Sequence, residues 1–230
     1  MVIRGVVFDI DDTLYWERDY VRSGFTHVAR TIAASASEAN EIEAWLLRQF
    51  EAGVRGETFD RLLRAHRHLM TRASSEELVR AYRNHRPMIQ LANSVEAVLV
   101  RLRETGLRMG VISDGPVASQ QAKAAALDLD RWFDPILLTE ALGPRYRKPG
   151  TLAFSTVARA WGLSARQLVY VADNPEKDFT APVRLGWRTV RLRAPQQLRF
   201  QIEASRPEES STAVISDLAE LLVVLNEVNA

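Results

Sequence analysis

The chain has 230 residues, 47% of them hydrophobic, which is enough for one large domain, or a domain with an insert, around a buried core. Its 30 basic and 29 acidic side chains nearly cancel, so no global field favours nucleic acid or an anionic membrane. It contains no cysteine, which excludes disulfides, thiolate metal sites and a cysteine nucleophile and fits a reducing, cytoplasmic setting.

The first element is the apolar run Val6, Val7 and Phe8, the pattern of a buried parallel strand, with Asp9 at its carboxyl end. Asp11 and Asp12 follow at once. Carboxylates this close repel one another unless a cation holds them, and crowded oxygen ligands suit a hard divalent ion such as magnesium. From about residue 20 to 86 the periodicity is helical, as in Ile42, Trp45, Leu46, Leu47 and Phe50, and Arg86-Pro87 marks a boundary. From residue 94 the text alternates. A helix ends at Gly106, and a strand over 107–112, a helix over 116–127, a strand over 135–139 and a helix over 150–161 follow. A strand over 168–172, a short helix ending near Gly186 and a strand over 187–192 complete the series. Strands alternating with helices predict a mostly parallel sheet covered on both faces, with the first strand in it. Residues 16–89 are then an all-helical insert, and 1–15 with 90–230 form the core. An insert after strand one is placed to be a lid over the strand ends, where open α/β sheets bind ligands. Residues 194–212 are expected to be an exposed connection, and residues 215–228 a final helix. No stretch is long and apolar enough to span a bilayer, and the amino terminus lacks a signal-peptide pattern.

Four further features fall at predicted strand exits or in the loops beyond them. Ser113, Asp114 and Gly115 end a strand and open a helix, a natural anion site. Lys148 precedes a proline at a helix start; Asp173 ends the strand LVYVA, and Asp178 lies five residues on. Taken alone, Ser113 reads as a turn former and Lys148 as a solvated charge. Their agreement carries the weight. Lysine is scarce: Lys123, Lys148 and Lys177 are the only ones, and every other basic residue is arginine. The histidines, His27, His66, His68 and His85, all lie in the insert and read as surface or lid residues.

In this order the motifs resemble those of the haloacid dehalogenase superfamily of aspartate-nucleophile hydrolases, in its phosphatase branch. The first motif is matched by DIDDT, the second by Ser113, the third by Lys148-Pro149, and the fourth by Asp173 and Asp178. Ala172 stands where many members carry glycine. The resemblance implies a Rossmann-like three-layer α/β core with a helical cap of the family's first type. It also implies Asp9 as nucleophile, Asp11 as general acid and base, and Ser113, Asp114 and Lys148 as phosphate binders. Magnesium would be held by Asp9, Asp11 through its carbonyl, and Asp173. Thr13 and Asp178 would support the site, Asp178 by holding the metal's hydration shell or orienting Lys148.

The expected activity is hydrolysis of a small phosphorylated metabolite through an aspartyl phosphate, with no nucleic-acid or membrane partner. A phosphomutase shares the nucleophile, and a non-catalytic phosphate-binding protein shares the pocket. A carbon–halogen hydrolase has no need of an acid at Asp11. Substrate identity and homo-oligomerisation stay open at this level.

Overall fold

The computed structural model describes residues 2–229, which divide into two compact units: Met1–Glu17 with Gln90–Ala230, and Arg18–Ile89. The first contains a six-stranded sheet of β1 (Gly5–Phe8), β2 (Arg108–Ser113), β3 (Ile136–Leu138), β4 (Leu168–Ala172), β5 (Arg188–Leu192) and β6 (Ala213–Ile215). The strand order is β3-β2-β1-β4-β5-β6, with every pairing parallel. The chain leaves β1 toward β2 on one side and later returns to β4 on the other. The switch point lies at the centre of the sheet, and all strand exits share one edge.

All four residues of β1 and all five of β4 are buried. Alternate side chains on a strand point to opposite faces, so burial of every position means that both faces are covered. On one face Val7, Ile112, Tyr170 and Ala172 meet Phe154, Val157 and Trp161. These last come from a helix over Leu152–Trp161, whose apolar residues recur at helical spacing. Phe154 stands edge-on to Tyr170 at 4.9 Å and to Trp187 at 5.5 Å, the geometry that opposed ring quadrupoles prefer. Phe8, of opposite parity on β1, meets Phe133 edge-on at 5.7 Å.

The second unit is helical: α1 (Glu17–Ile32, its first residue in the core unit), α2 (Ala36–Glu51), α3 (Thr58–Ala65) and α4 (Ser75–Asn84). Phe25 anchors it, with Phe50, Phe59 and Tyr82 at ring separations between 5.6 and 6.3 Å. Gly24 permits this packing, since a Cβ there would stand 2.4 Å from the Tyr82 ring. The start of α4 is fixed by a capping box, in which Ser74 and Glu77 satisfy each other's backbone amides. Arg55 lies over the Phe50 ring at 3.8 Å and donates to the Phe50 carbonyl at 2.7 Å, which is a packing arrangement. Among the described residues no helix is long and apolar enough to cross a membrane.

Three expectations are corrected. Ile215 ends the short strand β6, and the last helix spans Glu220–Asn229; a three-residue strand is too short to show a period of two. The predicted connection over 194–212 is exposed or half-buried at most positions but is tied to the core at Ala194, Gln197 and Glu209, which are buried. Polar residues placed to meet other polar groups look like a loop in composition. His85 is a core residue of the helical unit, 2% exposed, its Nδ1 2.6 Å from the Tyr82 carbonyl and its ring 5.0 Å from that of Tyr20.

Candidate active site

Asp9 follows β1 directly and is fixed by its amide, which donates to the Val171 carbonyl of β4 at 2.9 Å. Its register beside β4 brings it level with Ala172, one residue short of Asp173. Asp9, Asp173 and Asp178 are all buried, and each offers a carboxylate oxygen within 4.8 Å of the others. Lys148 enters this group with a side chain fully shielded from solvent, its Nζ 2.6 Å from Asp9 Oδ1, 2.6 Å from Asp178 Oδ1 and 3.0 Å from Tyr170 Oη. Asp178 Oδ2 accepts the Asn174 amide at 3.1 Å, so Asp178 holds the lysine from a fixed turn. Asp114 carries out a related task, its carboxylate accepting the Lys148 amide at 3.1 Å and the Thr139 hydroxyl at 2.6 Å.

The carboxylates of DIDDT do not share one cation. Asp12, at φ +53°, turns away and accepts the Glu17 and Leu198 amides, each at 2.8 Å; aspartate tolerates this left-handed geometry better than most residues. Its carbonyl accepts Gln197 Nε2 at 2.7 Å, so the strap over 194–203 clamps the loop that carries Asp9 and Asp11. Asp11 is paired with Lys123, whose Nζ lies 2.7 and 2.9 Å from its two oxygens. Tyr15 Oη and Gln120 Nε2 also donate to it. Gln120 bridges further, to the Asp114 carbonyl at 3.0 Å and the Ser113 hydroxyl at 3.3 Å. Gly115 makes room: its φ is +144°, and a Cβ there would stand 2.6 Å from Gln120 Nε2. Lys123, Gln120 and Tyr15 were not among the sequence candidates; the rarity of lysine is the one signal that could have drawn attention to Lys123.

Burial pushes the Asp9 carboxyl up, the Lys148 ammonium pulls it back, and the outcome is about 6. Asp173 is pushed well up by burial and by the Asp178 and Asp9 carboxylates. Burial also acts on Asp11, but the Lys123 ammonium and the hydrogen bonds from Lys123, Tyr15 and Gln120 outweigh it and hold Asp11 at about 2. Lys148 is held well above its ordinary value: burial favours its neutral form, and Asp178 and Asp9 overcome that.

Asp173 Oδ2 is buried and lacks a hydrogen-bond partner, as does Thr13 Oγ1. A buried carboxylate oxygen without a donor, beside two more carboxylates and one ammonium, fits a cation of oxygen preference. A divalent ion is therefore compatible with Asp9 and Asp173, with Asp178 adjacent. The metal-free protein should show the strain of these acids. Asp9 and Asp12 are both raised from 3.8 to about 6, in each case chiefly by burial. A raised folded-state value favours folding at low pH, and that stabilisation is lost as pH rises through it. The melting temperature of chelated protein is expected to fall between about pH 4 and pH 7, and magnesium should restore it at the upper end, where the carboxylates are ionised. A flat profile would contradict the burial of Asp9 and Asp12, and no response to magnesium would contradict a cation site at Asp9 and Asp173.

The haloacid dehalogenase-like hydrolase family model matches residues 3–186. The chain belongs to that family. The hydrolase is similar to the glyceraldehyde 3-phosphate phosphatase of Methanocaldococcus jannaschii, with 27% identity over 97% of each chain. It is also similar to the enzyme of the same name from Methanopyrus kandleri, with 28% identity over 84% of each. Among solved structures, the HAD-hydrolase YfnB of Bacillus subtilis bound to magnesium superposes with a TM-score of 0.67 and 20% identity, over 98% of this chain and all of that one. The hydrolase thus has the Rossmann-like core of this family, and its full-length curated relatives are phosphatases.

Proposed function

We propose that the hydrolase is a magnesium-dependent phosphatase of small phosphate monoesters, with Asp9 as nucleophile. The observation that carries this reading is the buried Asp9 carboxylate, held 2.6 Å from Lys148 and grouped with Asp173 and its unpartnered oxygen. Asp9 attacks phosphorus in line, a P–O bond to Asp9 forms as the bond to the leaving oxygen breaks, and one difficult hydrolysis becomes two easier steps. Lys148 neutralises the non-bridging oxygens of the transferring group, with the Ser113 hydroxyl and the Asp114 amide as further donors. Asp11 gives a proton to the leaving oxygen and in the second step takes one from water. The resting pair with Lys123 is the ionised form that the second step uses. Asp9, Asp173 and the Asp11 carbonyl would hold magnesium, which when bound supplies positive charge against the repulsion between Asp9 and the incoming phosphate.

The relatives support a reading of the substrate class. Two that align over most of their length are named for a three-carbon aldehyde phosphate, so a short phosphorylated metabolite is the leading candidate. The helical unit, inserted in the chain between β1 and β2, is proposed as the cap that selects it. Purified protein with magnesium is expected to release phosphate from glyceraldehyde 3-phosphate and, more slowly, from 4-nitrophenyl phosphate. Chelation should remove at least about 100-fold of the rate. Release that survives chelation unchanged would reject the metal-dependent reading, and no release from a broad panel of phosphate esters would reject the phosphatase.

A further inference from the structure

Of the three lysines, Lys148 enters the phosphate site, while Lys123 sits on the helix Val117–Ala126 with a side chain only 6% exposed. Burying an ammonium is costly unless its partners are fixed. Its partner is the Asp11 carboxylate, contacted at both oxygens, 2.7 and 2.9 Å from Nζ. One turn earlier on the same helix, Gln120 donates to Asp11 Oδ2 at 3.1 Å and reaches Ser113 and Asp114. From outside the helix Tyr15 donates to the other oxygen. A carboxylate held at both oxygens by three donors cannot turn about its χ angles without breaking several charge-assisted bonds at once. Nothing in the chemistry of binding phosphate requires this arrangement, since neither Lys123 nor Tyr15 is among the groups assigned to the phosphate.

We propose that Lys123 is a positioning residue that locks the Asp11 carboxylate in the orientation from which it takes a proton from the attacking water. This rests on the reading of Asp11 as acid and base and of Asp9 as the phosphorylated group. In the step concerned, the water oxygen forms a bond to phosphorus, its proton passes to Asp11, and the bond between phosphorus and Asp9 breaks, returning the carboxylate and releasing phosphate. With Lys123 gone, Asp11 keeps only the neutral donors Tyr15 and Gln120, its orientation is less tightly fixed, and the aspartyl phosphate outlives its normal turnover.

The test uses 4-nitrophenyl phosphate, whose leaving group needs no proton, so that kcat/KM reports phosphorylation of Asp9 and kcat comes to report its hydrolysis. Lys123→Met is expected to lower kcat about 100-fold while leaving kcat/KM within about threefold. A burst of nitrophenolate should approach one equivalent per active site. Lys123→Arg keeps the charge with a planar, longer head and should show the same pattern with a smaller loss, about tenfold. If the methionine variant does not fold, the arginine variant is read alone. Loss of kcat and kcat/KM together without a burst would mean a merely structural lysine, and unchanged kinetics would dismiss the role; either result overturns the proposal. Asp11→Asn serves as the reference. If it too shows no burst, the reading of Asp11 itself fails; if it bursts and the Lys123 variants do not, only the positioning role fails.

Discussion

Asp9→Asn protein is expected to fold and to lose at least about 1,000-fold of its phosphatase activity. The amide is close in shape to the carboxylate but is not a nucleophile toward phosphorus, so no aspartyl phosphate forms. Folding should survive because the charge removed is one the metal-free core tolerates poorly, given that burial raises Asp9 to about 6. Lys148 keeps Asp178 as its partner at 2.6 Å. Metal-free Asp9→Asn should therefore melt at or above the wild-type temperature at pH 7.5 and gain less from magnesium. Calorimetry with and without the ion, beside a phosphate-release assay, separates the two effects. Turnover equal to that of wild type would end the case for Asp9.

Lys148→Met has the second largest expected effect, and it falls on stability as well as rate. One ammonium holds two buried carboxylates, each at 2.6 Å, and its removal leaves Asp9 and Asp178 facing each other with no counter-charge from this side. Breaking a buried pair in this way costs about 3–5 kcal/mol. Urea unfolding of the chelated protein is expected to show a loss of this order, with activity below detection. Adding Asp178→Asn should recover much of the stability and none of the activity, because the second substitution relieves the repulsion without restoring a cation for the phosphoryl oxygens. A double variant no more stable than the single one would show that packing of the lysine stem, and not its charge, is what matters.

The two lysines differ in how readable they were. Lys148 lay beside a proline in an ordered series of motifs. Lys123 carries no local mark, because its partner is 112 residues away and the helix it occupies looks like any other. Strand ends were legible for a simple reason: an apolar run closed by a carboxylate places that group at an exit, as with Asp9 and Asp173. Partners across the sheet edge were not, since they depend on which loops meet. Asp12 shows the same limit. Its charge suggested a ligand shared with Asp9 and Asp11, whereas its backbone conformation makes it a clamp for two amides. β6 and the strap escaped notice because three residues cannot display a period and a polar segment does not reveal that its polar groups are spoken for.

That clamp bears on how the enzyme matures. Gln197 and Leu198 reach back 185 and 186 residues to grip Asp12. A nascent chain emerging from the ribosome already carries all four motifs by Asp178, yet the brace that Gln197 and Leu198 give the turn beside the proposed nucleophile is missing until the stretch beyond residue 194 emerges. The turn thus gains these two contacts only after all four motifs have been made.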